Sequence, residues 1–378
     1  MFFRDVIGQH RLKQQLIRQA ADNRISHAQL FLGGDDTGAV ALALAYARYI
    51  HCKDRGKDDA CGVCPSCVKY DKLAHPDIHF FFPSAPNDEH KKEISSKLFT
   101  DRWRDLLLNN PYFTYYQWLQ KLGVENKQAI INANDCNDII RHLGMKSYES
   151  PHKIIFLYMV EKLYHSAAPK LLKVLEEPPP NTVFLVISEN KDRVLNTILS
   201  RTQIVKLPVP DEAEVLQALI EHYHIEEKRA KQIAFLSGGS ITEALRLSQQ
   251  DEEQLADFES FREWMRHCYK NDAAHIIRWV EAASKGGREK QKSFLLYGLK
   301  IFRMALLHNY KLQELVRLEG EENTFIQGFS PFINHKNTIQ IVEAFDEAIM
   351  HLERNANPRI LFTDLSFHLV RQMRVKAG

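Results

Sequence analysis

Hydrophobic positions along residues 1–207 alternate between a period near 3.6 and short continuous runs, while beyond 207 the helical period alone persists. Over 9–23, Leu12, Leu16 and Ile17 share one helical face. Residues 27–34 read as a buried strand ending in Gly33 and Gly34, and 37–50 as an alanine-rich helix. The run 77–83 reads as a buried strand closed by Pro83. Alternation resumes with a strand over 127–132, a helix over 135–143 and a strand over 153–159. That last run is almost wholly apolar, which suits a strand covered on both faces of a parallel sheet. A helix over 169–177 is stopped by Pro178, Pro179 and Pro180. Strands over 182–188 and 203–207 complete the pattern. Strands alternating with helices over this length predict an α/β domain built on a parallel sheet.

Residues 84–126 break the rhythm, being polar from Asn87 to Lys92 and aromatic from Trp103 to Trp118. They read as an insertion with one or two helices. After Pro208-Val-Pro210 comes a small helical unit over 211–248, in which Ser237-Gly-Gly-Ser240 marks a helix stop and a fresh N-cap. From 251 onward the pattern is helical, broken at Gly286-Gly287, Gly320 and Pro331. The expected divisions are 1–207 for the sheet domain, with 51–70 and 84–126 as excursions, then 208–250 and 251–378.

The turn between the first strand and its helix has the outline of a phosphate-binding loop. Such a loop runs G-x-x-x-x-G-K-[ST], with free backbone N–H groups, a lysine for phosphate and a hydroxyl for Mg²⁺. Gly33 and Gly38 keep the spacing, but Ala39 stands at the lysine position and Val40 at the hydroxyl position. Asp35 and Asp36 add carboxylates. One such charge about 4 Å from a phosphate charge costs roughly 4 kcal/mol at an effective dielectric near 20. The loop is expected to bind no nucleotide.

Composition changes this picture little. A net charge of +2 argues against a dedicated nucleic-acid carpet, and no run reaches membrane-spanning length. The N-terminal ten residues lack a signal-peptide core, so a cytoplasmic, reducing location is expected. Cysteine usage is more telling. Cys52, Cys61, Cys64 and Cys67 give C-x8-C-x2-C-x2-C, and four thiolates at this spacing can close a tetrahedral Zn²⁺ shell of structural type. The spacing also resembles the opening of a ferredoxin motif, but Asp71 stands where its next cysteine would be. Cys136 and Cys268 stand alone and read as ordinary buried residues.

Where an ATPase of this layout carries Asp-Glu after its second core strand, this chain has Val160-Glu161-Lys162, and Glu161 reads as a surface residue. Leu171-Leu-Lys-Val-Leu-Glu-Glu-Pro-Pro-Pro180 and Thr197-Ile-Leu-Ser-Arg-Thr202 then make a specific match. Together with His27-Ala28, His75-Pro-Asp77, the four cysteines and Asn357-Pro-Arg359, they resemble bacterial DNA polymerase III clamp-loader subunits. The resemblance covers nearly the whole chain except the 84–126 insertion. Within that family the dead loop points to the delta-prime type rather than the ATP-binding gamma/tau type.

The resemblance implies an α/β RecA-like AAA+ domain with a parallel sheet, a small helical lid and an all-α collar domain. It implies assembly with gamma/tau- and delta-type subunits, and work on the sliding clamp and primer-template DNA through that complex. It also implies that Arg201, preceded by Ser200, acts in trans on the γ-phosphate held by a neighbour. Thr202 departs from the family's cysteine, which is not the phosphate contact. On position alone Arg201 also reads as a helix-terminal arginine in a surface ion pair. Thr242 stands where ATP-binding relatives carry a lid arginine, so four nucleotide contacts are missing together. The chain alone is therefore expected not to be an enzyme, with Zn²⁺ as its structural cofactor.

Two rivals are an active gamma/tau-type ATPase with an unusual loop, and a zinc-ribbon nucleic-acid-binding protein. For the second, Trp103, Trp118 and the Tyr112–Tyr116 run could stack bases, though aromatics at helical spacing more often make a core. Leu361, Leu365 and Leu369 form an apolar seam on the closing helix, suited to an internal core or to a collar contact.

Overall fold

The computed structural model describes residues 1–124, 127–248, 252–316, 318 and 320–375. It divides into two compact units, Met1–Arg246 and Leu247–Gly378. The first is built on a five-stranded sheet among the described residues, β1 (Ala28–Leu32), β2 (Ile78–Phe81), β3 (Lys153–Leu157), β4 (Thr182–Ser188) and β5 (Gln203–Lys206). All pairings are parallel, in the order β2-β3-β4-β1-β5. Every residue of β3 and β4 is buried, as their uninterrupted apolar runs require of strands covered on both faces.

The 127–132 segment departs from expectation. It forms only isolated bridges, Ile130 antiparallel to Ser84 and Ile131 parallel to Leu163. Asn132 ends it by capping the helix Ala133–Gly144, accepting from the N–H groups of Asn134 and Asp135. Two helices, Thr100–Asn109 and Tyr115–Leu122, occupy the insertion. After Pro210 the first unit continues through helices Glu212–Glu221 and Glu227–Ser237 and ends, at Arg246, within the helix Ile241–Ser248. Gly238 ends the second of these at φ +62°, and Ser240 Oγ accepts from Glu243 N–H to start the third.

The second unit is helical throughout its described residues and has its own core. Trp264 stacks on Trp279 at 4.5 Å between ring centroids and donates Nε1–H to Ser366 Oγ. Leu361, Leu365 and Leu369 all lie in that core, so the seam of the closing helix Pro358–Gln372 is an internal face. No helix among the described residues is long and apolar enough to cross a membrane.

Candidate functional site

At the carboxyl end of β1 the chain turns through a short 3-10 helix, Asp35–Thr37, into the helix Ala39–His51. The carboxyl edge of a parallel sheet is where open α/β folds take their ligands. Here its groups are already engaged. Gly33 N–H donates to Ser188 O at 3.1 Å, and Thr37 N–H to Gly34 O at 3.0 Å. Thr37 Oγ1 also donates to Gly34 O at 2.8 Å. Ala39 and Val40 are buried. Gly38 sits at φ +74°, and a Cβ there would lie 2.8 Å from Tyr112 Cε1. Burial raises the Asp36 pKa above the usual carboxylate range.

Three side chains from distant segments converge on this turn. Gln9 donates from Nε2 to Thr37 O at 3.1 Å and to Pro208 O at 2.7 Å. Thr242 donates from Oγ1 to Asp35 O at 2.8 Å. The Tyr112 hydroxyl accepts from Ile7 N–H at 2.9 Å. Nothing in the sequence tied Gln9 or Tyr112 to this turn, because each meets it only through the tertiary fold. Glu161 corrects an expectation. It is half-buried rather than on the surface, accepting from Glu189 N–H at 2.8 Å, and burial raises its pKa.

The aromatics of the insertion follow the core reading rather than base stacking. Trp103 and Trp118 are 0% exposed, stacked on and edge-on to Phe82 respectively, and Tyr112 is 2% exposed. These aromatics are core.

The four cysteines converge. Cys52, Cys61, Cys64 and Cys67 place their sulfurs within 4.8 Å of one another, with Cys61 and Cys67 Sγ 4.0 Å apart. Four sulfurs about 2.3 Å from one ion in a tetrahedron would lie about 3.8 Å apart, so the set can hold a metal. Backbone N–H groups of Cys61 and Cys64 point at Cys52 and Cys61 Sγ, both at 3.3 Å, which favours thiolates. Burial pushes the Cys52 thiol up to about 12. At Cys64 the cost of burial is outweighed by hydrogen bonds from the Cys67 and Lys53 N–H groups and the neighbouring thiols, bringing it down to about 6.

Beside this knot, the buried Arg48 guanidinium lies 2.9 Å from Asp71, donates to Cys67 O and packs 3.6 Å from the Phe2 ring centroid. The N–H groups of Phe3 and Arg4 donate to the Asp59 carboxylate. The chain's first residues are thereby fastened to the cysteine module. Cys136 and Cys268 are buried free thiols.

Ser200 and Arg201 follow the helical turn Asn196–Leu199, ahead of edge strand β5. Arg201 donates from Nη1 to Thr197 O at 2.9 Å and to Ser200 Oγ at 3.1 Å, and pairs through Nη2 with Glu176. Its side chain remains 29% exposed beside a shallow cleft lined by Ser26, His27 and Gln203. Residues 8–211 match the family profile described as DNA polymerase III, delta subunit. The chain belongs to the DNA polymerase III delta-prime clamp-loader family.

Among relatives of this family, the DNA polymerase III subunit delta' of Bacillus subtilis is 26% identical over 244 residues, covering 65% of this chain and 60% of that one. Its counterpart from Haemophilus influenzae is 28% identical over 197 residues, covering 52% and 47%. The chain thus spans about half to three-fifths of these relatives' length. A solved gamma subunit-related protein of Thermotoga maritima is similar at 15% identity and a TM-score of 0.44, covering 96% of this chain and 99% of that one.

Proposed function

We propose that this chain is a clamp-loader subunit that binds no nucleotide and lends Arg201 to the ATP site of the subunit beside it. Its partners are gamma/tau- and delta-type subunits, and it meets the sliding clamp and primer-template DNA through that assembly. In this reading 208–250 serve as a lid and 251–378 as a collar that holds the assembly together. The observation that carries the proposal is a contrast between two sites in one unit. The nucleotide turn is closed by Gln9, Tyr112 and Thr242, while Arg201 stays partly exposed at the end of a helical turn.

A guanidinium suits the role, because its planar fork spreads the charge that develops on a transferring phosphoryl group. The partly exposed ion pair with Glu176 holds Arg201 by no more than about 1 kcal/mol, so a neighbour's γ-phosphate can draw it away. Ser200 braces the guanidinium through its hydroxyl. Cys52, Cys61, Cys64 and Cys67 would hold Zn²⁺, which when bound supplies a closed structural crosslink and no reactive position.

The test reconstitutes the clamp loader with Arg201→Ala subunit in place of wild type. Assembly should be intact, and clamp- and DNA-stimulated ATP hydrolysis at the adjoining site should fall about 10³-fold or more. Wild-type hydrolysis by a fully assembled Arg201→Ala complex would remove the finger role.

A further inference from the structure

The insertion has a task that the family reading leaves open. It leaves β2 at Phe82 and is pinned at its neck by paired hydrogen bonds between Ser84 and Ile130, at 3.0 and 3.1 Å. Trp118 Nε1–H donates to Pro83 O at 2.8 Å. Trp103 stacks on Phe82 with centroids 4.4 Å apart, and lies 5.2 Å from the ring of Tyr158, just past β3. Phe113 lies 5.4 Å from that same ring. The insertion is therefore seated over the carboxyl ends of β2 and β3, on the edge where a parallel sheet takes its ligand.

At its tip, Asn110 braces Tyr112 from both sides, accepting from Tyr112 N–H at 2.9 Å and donating to Tyr112 O at 3.1 Å. The ring held this way reaches Gly38 of the turn and Ile7 of the N-terminal segment. Gln9, two residues on, ties the turn at Thr37 to the connection at Pro208. Thr242 ties the helix Ile241–Ser248 to the turn at Asp35.

We propose that the 84–126 insertion is an internal plug, with Tyr112 as its tip and Gln9 and Thr242 as latches. The plug fills the degenerate pocket, while the latches join the turn to the connection at Pro208 and to the helix Ile241–Ser248. The inference rests on the reading of this pocket as one that takes no nucleotide, and adds what occupies it instead. Its consequence is a lid held in one position by the chain's own side chains, whatever the nucleotide supply. Residues 125 and 126 lie outside the described residues.

Hydrogen exchange read by mass spectrometry on the full chain, with and without MgATP, tests this. Thr242→Val and Tyr112→Phe each remove one hydrogen bond, and Tyr112→Ala removes the ring. Exchange should rise roughly five-fold over 35–40 and 212–246 in Thr242→Val and at Ile7 in Tyr112→Phe, and over all three in Tyr112→Ala, with β3 and β4 unchanged. Flat exchange in Thr242→Val and Tyr112→Phe would overturn the plug, and these two variants decide the matter if Tyr112→Ala does not fold. MgATP protection of residues 33–40 in the wild type would overturn the nucleotide-free reading together with the plug. Its absence, with flat variants, overturns the plug alone.

Discussion

Asp77 holds more of the first unit together than its single charge suggests, and removing it should cost several kcal/mol. Its carboxylate is 2% exposed and accepts three consecutive backbone N–H groups, from Tyr148 at 2.6 Å, Glu149 at 2.7 Å and Ser150 at 2.8 Å. Its own carbonyl accepts from Ile154 N–H at 2.8 Å, so the same residue sets the register where β3 begins. In Asp77→Ala all three donors lose their acceptor, but they do not lose it equally. Tyr148 is exposed, and its N–H finds water. Ser150 is buried and finds none, while Glu149 lies between.

An orphaned buried donor costs about 1–3 kcal/mol, so two such donors predict a loss of roughly 2–6 kcal/mol. That is a large share of a typical domain's 5–15 kcal/mol or so. Asp77→Asn should fall between, since it keeps one acceptor oxygen but turns an amide donor toward N–H groups. Urea unfolding followed by tryptophan fluorescence reads both, with Trp103 and Trp118 reporting on the first unit. A midpoint shift worth less than about 1 kcal/mol in Asp77→Ala would refute the reasoning, because it would mean that water satisfies all three donors.

Metal analysis should find about one Zn²⁺ per chain, and Cys64→Ser should lose it and expose the amides of Phe3 and Arg4, which rest on Asp59. A metal-free chain with four freely titrating thiols would contradict the site. Acid should weaken the first unit. Burial lowers His75 to about 4, and burial with the His142 ring stacked on it lowers His79 to about 3. With folded values below the unfolded 6.5, their stabilisation is complete above that pH and is lost as pH falls toward those values. Asp135, pushed up to about 6 by burial, works the other way. His51, which burial also lowers to about 3, adds to the loss, so the net between pH 7 and 5.5 is on the order of 3 kcal/mol, and a urea midpoint that holds or rises over that interval would contradict it.

What was legible in the sequence was what local chemistry decides. β3 and β4 could be read because a run such as Lys153–Leu157 has no polar face to give water, and only a sheet's interior suits it. The cysteine knot could be read because three of its ligands follow one another at two-residue gaps, so little chain has to fold to close it. Ile130 and Ile131 misled for the same local reason. They form an apolar pair with strand character, yet the segment crosses the neck of the insertion and meets each partner at one residue only. Glu161 misled because its acceptor role depends on Glu189 N–H, a donor from the far end of β4.

The nucleotide turn shows both sides of this limit. Ala39 and Val40 declared the lost lysine and hydroxyl directly, because a phosphate loop is a contiguous motif. The side chains that meet this turn could not be read that way. Tyr112 bonds Ile7 across 105 residues, and Thr242 bonds Asp35 across 207. A tyrosine, a glutamine and a threonine carry no signature of such contacts, since each is equally at home on a surface or in a cap. The physical constraint runs in the opposite direction. A pocket at a sheet's carboxyl edge that loses its ligand exposes backbone N–H groups and apolar walls, and a buried unpaired N–H costs about 1–3 kcal/mol. A fold of this kind whose pocket took no nucleotide would therefore be under pressure to supply those partners itself. An aromatic insertion beside the second strand is a place to look for them in any relative with the same dead loop.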